Sequence, residues 1–283
     1  MKKKQLPKTI AIILICVLID IALHSITSTY STMPENPNYS KIAGLFGTEI
    51  TATFWALLAF SGAAFVFYRI QSSIPGVGLA KGFRYGTAIS LLWLFAMLEG
   101  AALFGNAIIN EFVVGISDAI PAFLLGILLS LSIAKKGEHS ELKQLTLSQK
   151  ILTVCVFTGV FLMGRYVAYF TGLIQSGHQA SPFYTFLWTL LMGAWIGAAC
   201  ILLVNPGNTL RWKPGAKIFI MFFGINWATF LIFMPLLFSG FIADVLSRII
   251  LDILLVTIGY YLAFSLRMKC IKDVISKMPE SAK

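Results

Sequence analysis

Charged side chains are scarce in this sequence. Only 12 % of its 283 residues are Asp, Glu, Lys or Arg, against about a quarter in ordinary globular chains. A hydrophobic content of 58 % and a mean hydropathy of +0.83 exclude a soluble domain. Apolar runs of about 20 residues recur, the length at which a helix crosses a bilayer with its backbone groups satisfied internally. We therefore predict an all-α, polytopic helical membrane protein, with residues 1–283 forming a single membrane domain.

Cysteine pairs and catalytic signatures are also missing. Three of the four cysteines lie inside apolar runs and Cys270 follows the last run, so neither a disulfide framework nor a CxxC motif is supported. No Walker A loop, GxSxG, HExxH, diphosphate-type DxxD or paired-glutamate protease motif is present. Only three histidines occur, in three distant segments, which excludes a His-rich metal site. We assign no cofactor and no metal ligand, although a carboxylate-rich cation site stays open.

Eight apolar runs are long enough to span the membrane. The first follows MKKKQLPK and resembles a signal peptide, but it lacks a convincing small-x-small cleavage site. We interpret it as a span and keep cleavage as the alternative. Polar or Gly/Pro-rich connections separate the runs. The predicted spans cover 8–28, 48–69, 83–105, 111–134, 151–173, 183–204, 217–238 and 243–266.

Lysine and arginine are distributed unevenly between the two sides of these spans. The N-terminus, the even-numbered connections and the C-terminus carry all but three of the 22 basic residues. Lys41 alone lies in an odd-numbered connection, and Arg165 and Arg248 lie inside spans. Because basic connections stay in the cytoplasm, we predict a protein of the plasma (cytoplasmic) membrane with both termini cytoplasmic. This placement explains the net charge of +10 through membrane lipid and topology, and no nucleic-acid partner is needed.

The two halves of the chain resemble each other. An ungapped shift of 134 residues gives eight identities among the 43 positions from 93 to 135. The pairs that support the similarity most strongly are Trp93 with Trp227 and Asp118 with Asp252. A shift of 133 also aligns Trp55 with Trp188. Four spans in each half would enter the membrane in the same direction, which predicts a parallel 4+4 repeat, as in some transporters. The halves are 1–134 and 151–283, joined by a cytoplasmic linker at 135–150.

The repeat predicts a relation between two aspartates. Asp118 and Asp252 would occupy related positions and face each other across the repeat axis. Small residues and prolines add local expectations. Gly193 and Gly197 have the GxxxG spacing of packed helices. Pro121 and Pro235 should each leave a helix carbonyl without its usual partner, either as a packing kink or as a backbone oxygen available to a ligand. The tryptophans inside spans are predicted to pack in the core.

Every charge inside a span falls in its predicted outer half. At about 1.5 Å per residue, Glu99, Arg165 and Asp252 lie roughly 22 Å from the cytoplasmic end of a hydrocarbon core of about 30 Å. Charges at such depth are costly, and they mark either a functional site or a buried ion-pair scaffold. The predicted ligand- or proton-binding residues are Asp252, Asp118, Glu99, Arg165, Arg248, Asp20 and His24, with Glu49, Glu111 and Asp244 at the rim.

Two interpretations of these charges stay open. In the first, the outer half holds a polar, water-filled cavity above an apolar plug, and a small solute or a proton enters it from outside. In the second, the charges only pair with one another. The expected pairs are then Arg248 with Asp244 and Asp252 on its own helix, and Arg165 with Glu99 or Asp118.

Three roles are open for His24. Asp20 and His24 stand four apart and share one helix face. His24 is therefore a proton shuttle, a member of a metal site, or simply a residue of the helix wall.

Three classes of function fit these observations. We favour a secondary transporter or permease for a small solute, with proton coupling as an option and Asp118, Asp252, Glu99 and Arg165 as its core site. The second class is a non-catalytic membrane partner, such as a sensor, immunity or assembly factor bound to another membrane protein. The third is an outer-leaflet enzyme that acts on a lipid, with a carboxylate as general base and an arginine on phosphate. The missing catalytic motifs make the enzyme the least favoured.

Overall fold

Helices make up almost all of the described chain. The computed structural model describes residues 5–30, 32, 37–133, 145–204 and 212–276, with 270–276 described by their backbone alone, and 84 % of these residues are helical. The helices are α1 (Leu6–Ile26), α2 (Lys41–Phe46), α3 (Thr48–Ile70), α4 (Leu79–Leu103), α5 (Ile108–Ile133), α6 (Leu147–Phe170), α7 (Pro182–Leu203), α8 (Trp212–Leu231), α9 (Phe233–Leu237) and α10 (Ile242–Ser276). The prediction of an all-α chain is confirmed for this part of the sequence.

Eight of these segments are long and apolar enough to cross a membrane, which indicates a multi-pass membrane protein. They are α1, α3, α4, α5, α6, α7, the pair α8–α9, and α10. The seventh span is broken at Ile232 because Pro235 has no N–H for the Leu231 carbonyl. The fifth begins at Leu147, four residues earlier than predicted, behind a Thr146–Gln149 capping box. Most of the predicted 135–150 linker, up to residue 144, lies outside the described residues, as do most of the terminal lysines.

The spans pack in a closed circuit. Around it, α3 is followed by α1, α5 and α4, then by α7, α6, α10 and α8, and α8 returns to α3. The first four of these belong to the first half of the chain and the last four to the second. Two junctions join the halves, α4 with α7 and α3 with α8, and α4 also touches α8. The circuit decides which charged helices meet.

Glycines allow close packing of one helix pair within each half. A Cβ on Gly197 of α7 would lie 2.8 Å from the Val154 Cα of α6, so the GxxxG prediction is confirmed as a packing contact. On the other side of the circuit, a Cβ on Gly126 of α5 would lie 2.6 Å from the Gly86 Cα of α4. This second contact was not predicted.

The long first connection is fastened to the end of the seventh span. The Ser40 N–H donates to the Leu237 carbonyl at 2.9 Å, and the Ser239 N–H donates to the Asn38 carbonyl at 2.9 Å. Beside them, the rings of Tyr39 and Phe238 stack with centroids 6.3 Å apart. The connection that follows α1 is thereby held against the far half of the circuit.

Four of the in-span tryptophans lie in the core, as predicted. Trp93 and Trp227 are fully buried, and Trp55 and Trp188 are nearly so. Each of the latter two donates a hydrogen bond to a backbone carbonyl of the other half. The Trp55 indole reaches Thr229 O at 2.8 Å, and the Trp188 indole reaches Phe95 O at 2.6 Å. Trp195 is only half-buried.

Candidate functional site

The predicted site residues all lie toward one end of the bundle, which we call the charged end. It is the end at which α1, α4, α6 and α9 finish and α3, α5, α7 and α10 begin. The circuit of helices sorts most of these residues into two separate clusters. The arginine network contains Glu99, Arg165, Asp244, Arg248 and Asp252, and the histidine cluster contains Asp20, His24 and Asp118.

Arg165 of α6 is the centre of the arginine network. Its guanidinium forms a two-point contact with Asp252 of α10, Nε to Oδ1 at 2.7 Å and Nη2 to Oδ2 at 2.6 Å. Its Nη1 donates to Glu99 Oε1 on α4 at 2.9 Å. The guanidinium carbon also lies 5.2 Å from the Phe161 ring centroid and 5.1 Å from that of Trp188. A fully buried arginine is thus held by two carboxylates and two aromatic rings.

Arg248 extends the network toward the end of the bundle. Its Nη1 donates to the same Glu99 oxygen at 2.5 Å, and its Nε donates to Asp244 Oδ2 at 2.5 Å. Its Nη2 donates to the Gln175 carbonyl, while the Gln175 N–H donates to Asp244 Oδ1 at 2.6 Å. The connection between α6 and α7 is therefore tied to α10.

One expected ion pair, Arg248 with Asp252, is wrong. Arg248 pairs with Asp244 and Glu99, and Asp252 of its own helix pairs with Arg165 instead. Arg165 uses Glu99, as one alternative had it, but Asp118 belongs to the other cluster. A spacing of four residues puts side chains on one face, but the neighbouring helix decides which of them meet.

Asp252 has a second partner that could not be predicted from the sequence. The Trp227 indole N–H of α8 donates to Asp252 Oδ2 at 2.9 Å, so this fully buried carboxylate accepts three hydrogen bonds. The repeat shift singled out Trp227, but no sequence signal gives the direction of its indole. The arginine network consequently connects α4, α6, α8 and α10 and satisfies its central charges, which is the pattern of a scaffold.

The histidine cluster lies between α1 and α5 and is built differently. His24 Nε2 lies 3.0 Å from Asp118 Oδ1 and 3.9 Å from Asp20 Oδ1. Both aspartates are 3 % exposed, whereas 37 % of the His24 side chain is accessible. Asp20 Oδ1 is buried and has no hydrogen-bond partner among the described residues. Two buried carboxylates therefore share one partly exposed imidazole.

A hydroxyl pair joins the same two helices beside this cluster. Thr27 Oγ1 and Ser117 Oγ lie 3.1 Å apart and connect the end of α1 with α5. One helical turn below Asp20, Cys16 is fully buried. The cluster is thus open at His24 and closed beneath Asp20.

The three predicted rim residues lie in different environments. Glu49 is exposed at the start of α3, and Asp244 belongs to the arginine network. Glu111 is 2 % exposed, so its prediction as a rim residue is wrong. It packs against Gly100, where an added Cβ would meet the Glu111 carboxylate, and it accepts a hydrogen bond from Asn106 Nδ2 at 2.6 Å.

Asp118 and Asp252 do not face each other. Asp118 meets α1, Asp252 meets α6 and α8, and no described partner is common to both. The pocket beside Glu99 has essentially no volume that a water molecule could occupy, against the roughly 300–1,000 Å³ of small-molecule sites. The arginine network is therefore packed closed in this conformation.

Comparisons of this chain with protein families, with curated proteins and with solved structures found no match. The function must be inferred from the geometry of the two clusters.

Proposed function

We propose that this chain is a secondary transporter for a small solute, built as two parallel four-helix repeats with its ligand site at the charged end. The observation that carries this proposal is a base–aspartate contact that occurs at the corresponding place in each half of the chain. In each half, a basic side chain on the first span meets an aspartate on the fourth. His24 meets Asp118, and Arg165 meets Asp252.

The positions of these four residues support the repeat. Asp118 and Asp252 are aligned by the shift of 134 residues. His24 and Arg165 each stand eighteen residues after the first residue of their helices, Leu6 and Leu147. The same junction of each half thus carries the same kind of pair.

The packing order supports it independently. Around the circuit, each half runs in the order second, first, fourth and third span. The junctions between the halves are third with sixth and second with seventh, and a two-fold axis along the membrane normal would exchange these two junctions.

The tryptophan hydrogen bonds follow the same relation. Trp55 and Trp188 differ by 133 residues, and their acceptors, Thr229 and Phe95, differ by 134. One bond crosses from the first half to the second, and the other crosses back. Chance apolar identity would not produce reciprocal bonds.

The transporter proposal follows from the repeat and the buried charges together. Parallel repeats about a membrane-normal axis are a recurring design of transporters, and buried ionisable groups in their spans mark substrate or proton pathways. Within the predicted set, the histidine cluster is the better ligand site, because its carboxylates are incompletely paired and His24 is accessible. The basic connections support an orientation with the charged end outside and both termini cytoplasmic.

One observation favours a second candidate, a non-catalytic membrane partner. The central charges of the arginine network satisfy one another, as in a protein whose ion pairs only hold helices together. The enzyme alternative requires an arginine that can bind the phosphate of a lipid. Arg165 does not meet this requirement, because its guanidinium is fully buried and already donates from all three nitrogens.

Transport is tested by reconstitution. Proteoliposomes of the purified chain are exposed to amino acids, sugars, nucleosides, organic acids and inorganic ions, and charge movement or uptake is recorded. At least one solute should give a saturable signal that Asp118→Asn abolishes. Arg69→Gln, at an exposed position on the opposite end of the bundle, should retain the signal.

Two outcomes would contradict the transporter proposal. One is a folded wild-type protein that responds to no solute class. The other is equal transport by wild type and Asp118→Asn. Stoichiometric co-purification of another membrane protein alongside the first outcome would favour the partner alternative.

A further inference from the structure

We infer that the histidine cluster binds a divalent transition-metal ion, with Asp20, His24 and Asp118 as its protein ligands. One nitrogen and two carboxylate oxygens from these residues lie within 4.8 Å of one another. Imidazole with carboxylate is a donor set for first-row ions such as Zn²⁺ and Mn²⁺.

One ligand pair already has the spacing that such an ion requires. Ligands at about 2.0–2.2 Å from a tetrahedral or octahedral ion stand roughly 3.0–3.5 Å apart. His24 Nε2 lies 3.0 Å from Asp118 Oδ1 and 3.9 Å from Asp20 Oδ1. A movement of about half an ångström by the Asp20 carboxylate would bring the second distance into the same range.

The state of Asp20 is the second observation that points to a ligand. Its side chain is nearly completely buried, and Oδ1, the oxygen nearer His24, has no hydrogen-bond partner among the described residues. A buried carboxylate oxygen without a partner is costly. A divalent cation would bind this oxygen and offset the charge of both aspartates.

His24 is the accessible member of the cluster, and the ligand set leaves coordination positions open. Its side chain is 37 % accessible, while Asp20 and Asp118 are buried behind it. Three protein ligands leave at least one position for water or a solute, as in metal sites that exchange ligands. The arginine network has no such feature, because two guanidinium groups already occupy its carboxylates.

This inference goes beyond transport and does not depend on it. The metal site would bind its ion in the purified protein whether or not the protein transports a solute. Failure of the transport assay and failure of metal binding are therefore separate results.

The test measures metal stoichiometry on the full chain. The protein is purified in detergent with its affinity tag removed, stripped with a chelator, and incubated with Zn²⁺ or Mn²⁺. Bound metal is counted by mass spectrometry after gel filtration, and Mn²⁺ is titrated by electron paramagnetic resonance. We expect one ion per chain and a raised midpoint of thermal unfolding with metal.

Three ligand variants and one matched control sharpen the test. Asp118→Asn, His24→Gln and Asp20→Asn should each weaken binding by more than the about 10- to 100-fold that follows loss of an outer-shell partner. Glu111→Gln removes a buried carboxylate from the same helix as Asp118, outside the cluster, and should bind metal like wild type.

The inference is overturned if folded wild-type protein binds neither ion, or if the ligand variants that fold bind as tightly as wild type. Should one variant misfold, the other two still decide the question. The helical signal in circular dichroism and a single gel-filtration peak establish which variants are folded.

Discussion

The two junctions between a first and a fourth span carry the same kind of pair, yet they differ in how completely the charges are matched. At the α6–α10 junction, Arg165 and Asp252 are fully buried and surrounded by further donors and acceptors. At the α1–α5 junction, one accessible histidine serves two buried aspartates. Depth in the membrane alone would rank the two sites equally. The number of partners separates a scaffold from a candidate binding site.

The two aligned tryptophans differ in the same way. Trp227 donates its indole N–H to Asp252, whereas the aligned Trp93 is equally buried and its indole nitrogen has no partner among the described residues. Among the described residues, the tryptophan of the second half thus belongs to a hydrogen-bond network and that of the first half does not. If the halves arose from one ancestor, the first kept unsatisfied groups that a ligand can use.

The largest expected effect comes from removing the central cation. Arg165→Met leaves Asp252 buried beside Glu99 with no adjacent positive charge except Arg248. Breaking a buried pair in this way costs about 3–5 kcal/mol, so we expect a severe loss of folded protein. Thermal unfolding in detergent measures it, with the exposed Arg69→Met as control, for which a change within about 0.5 kcal/mol is expected. A stable Arg165→Met protein would contradict the scaffold role.

A smaller effect should distinguish the two aligned tryptophans. Trp227→Phe and Trp93→Phe remove similar volume from fully buried sites, but only the first removes a hydrogen bond to a carboxylate. Trp227→Phe should therefore cost about 1.5–3 kcal/mol more than Trp93→Phe. Unfolding midpoints of the two variants give the difference. Equal midpoints would mean that the Trp227 hydrogen bond does not stabilise the network.

The smallest effect tests the repeat itself. Trp55→Phe and Trp188→Phe each remove one of the reciprocal indole bonds to a backbone carbonyl. Each should cost about 0.6–1.5 kcal/mol, and the two losses should agree. The effects should also add in the double variant, because the bonds have no shared partner. A loss at one position only would break the equivalence of the two junctions between the halves.

Much of this arrangement follows from the sequence. Hydropathy and length give the eight spans, and the position of each charge along its span gives the charged end. Burial of Trp93 and Trp227 and the contact through Gly197 also follow from simple patterns. These properties depend on the position of a residue along its own helix, and a pattern in the sequence is enough to predict them.

Relations between helices could not be predicted in the same way. The sequence gives no order around the bundle, so nothing in it says that Asp252 meets Arg165 and leaves Arg248 to Glu99. For the same reason, Asp118 was expected to face Asp252 and lies instead against His24. The burial of Glu111 depends on Gly100 of the adjacent helix, which sequence distance does not reveal.

The most direct test of the central claim compares Asp118→Asn with Asp252→Asn by thermal unfolding. Asp252→Asn removes a charge that holds Arg165, so its midpoint should fall by several degrees, equivalent to about 3 kcal/mol or more. Asp118→Asn removes one of two crowded carboxylates, so its midpoint should equal or exceed that of wild type. Equal losses in the two variants, or a larger loss in Asp118→Asn, would contradict the division into a scaffold and an open site.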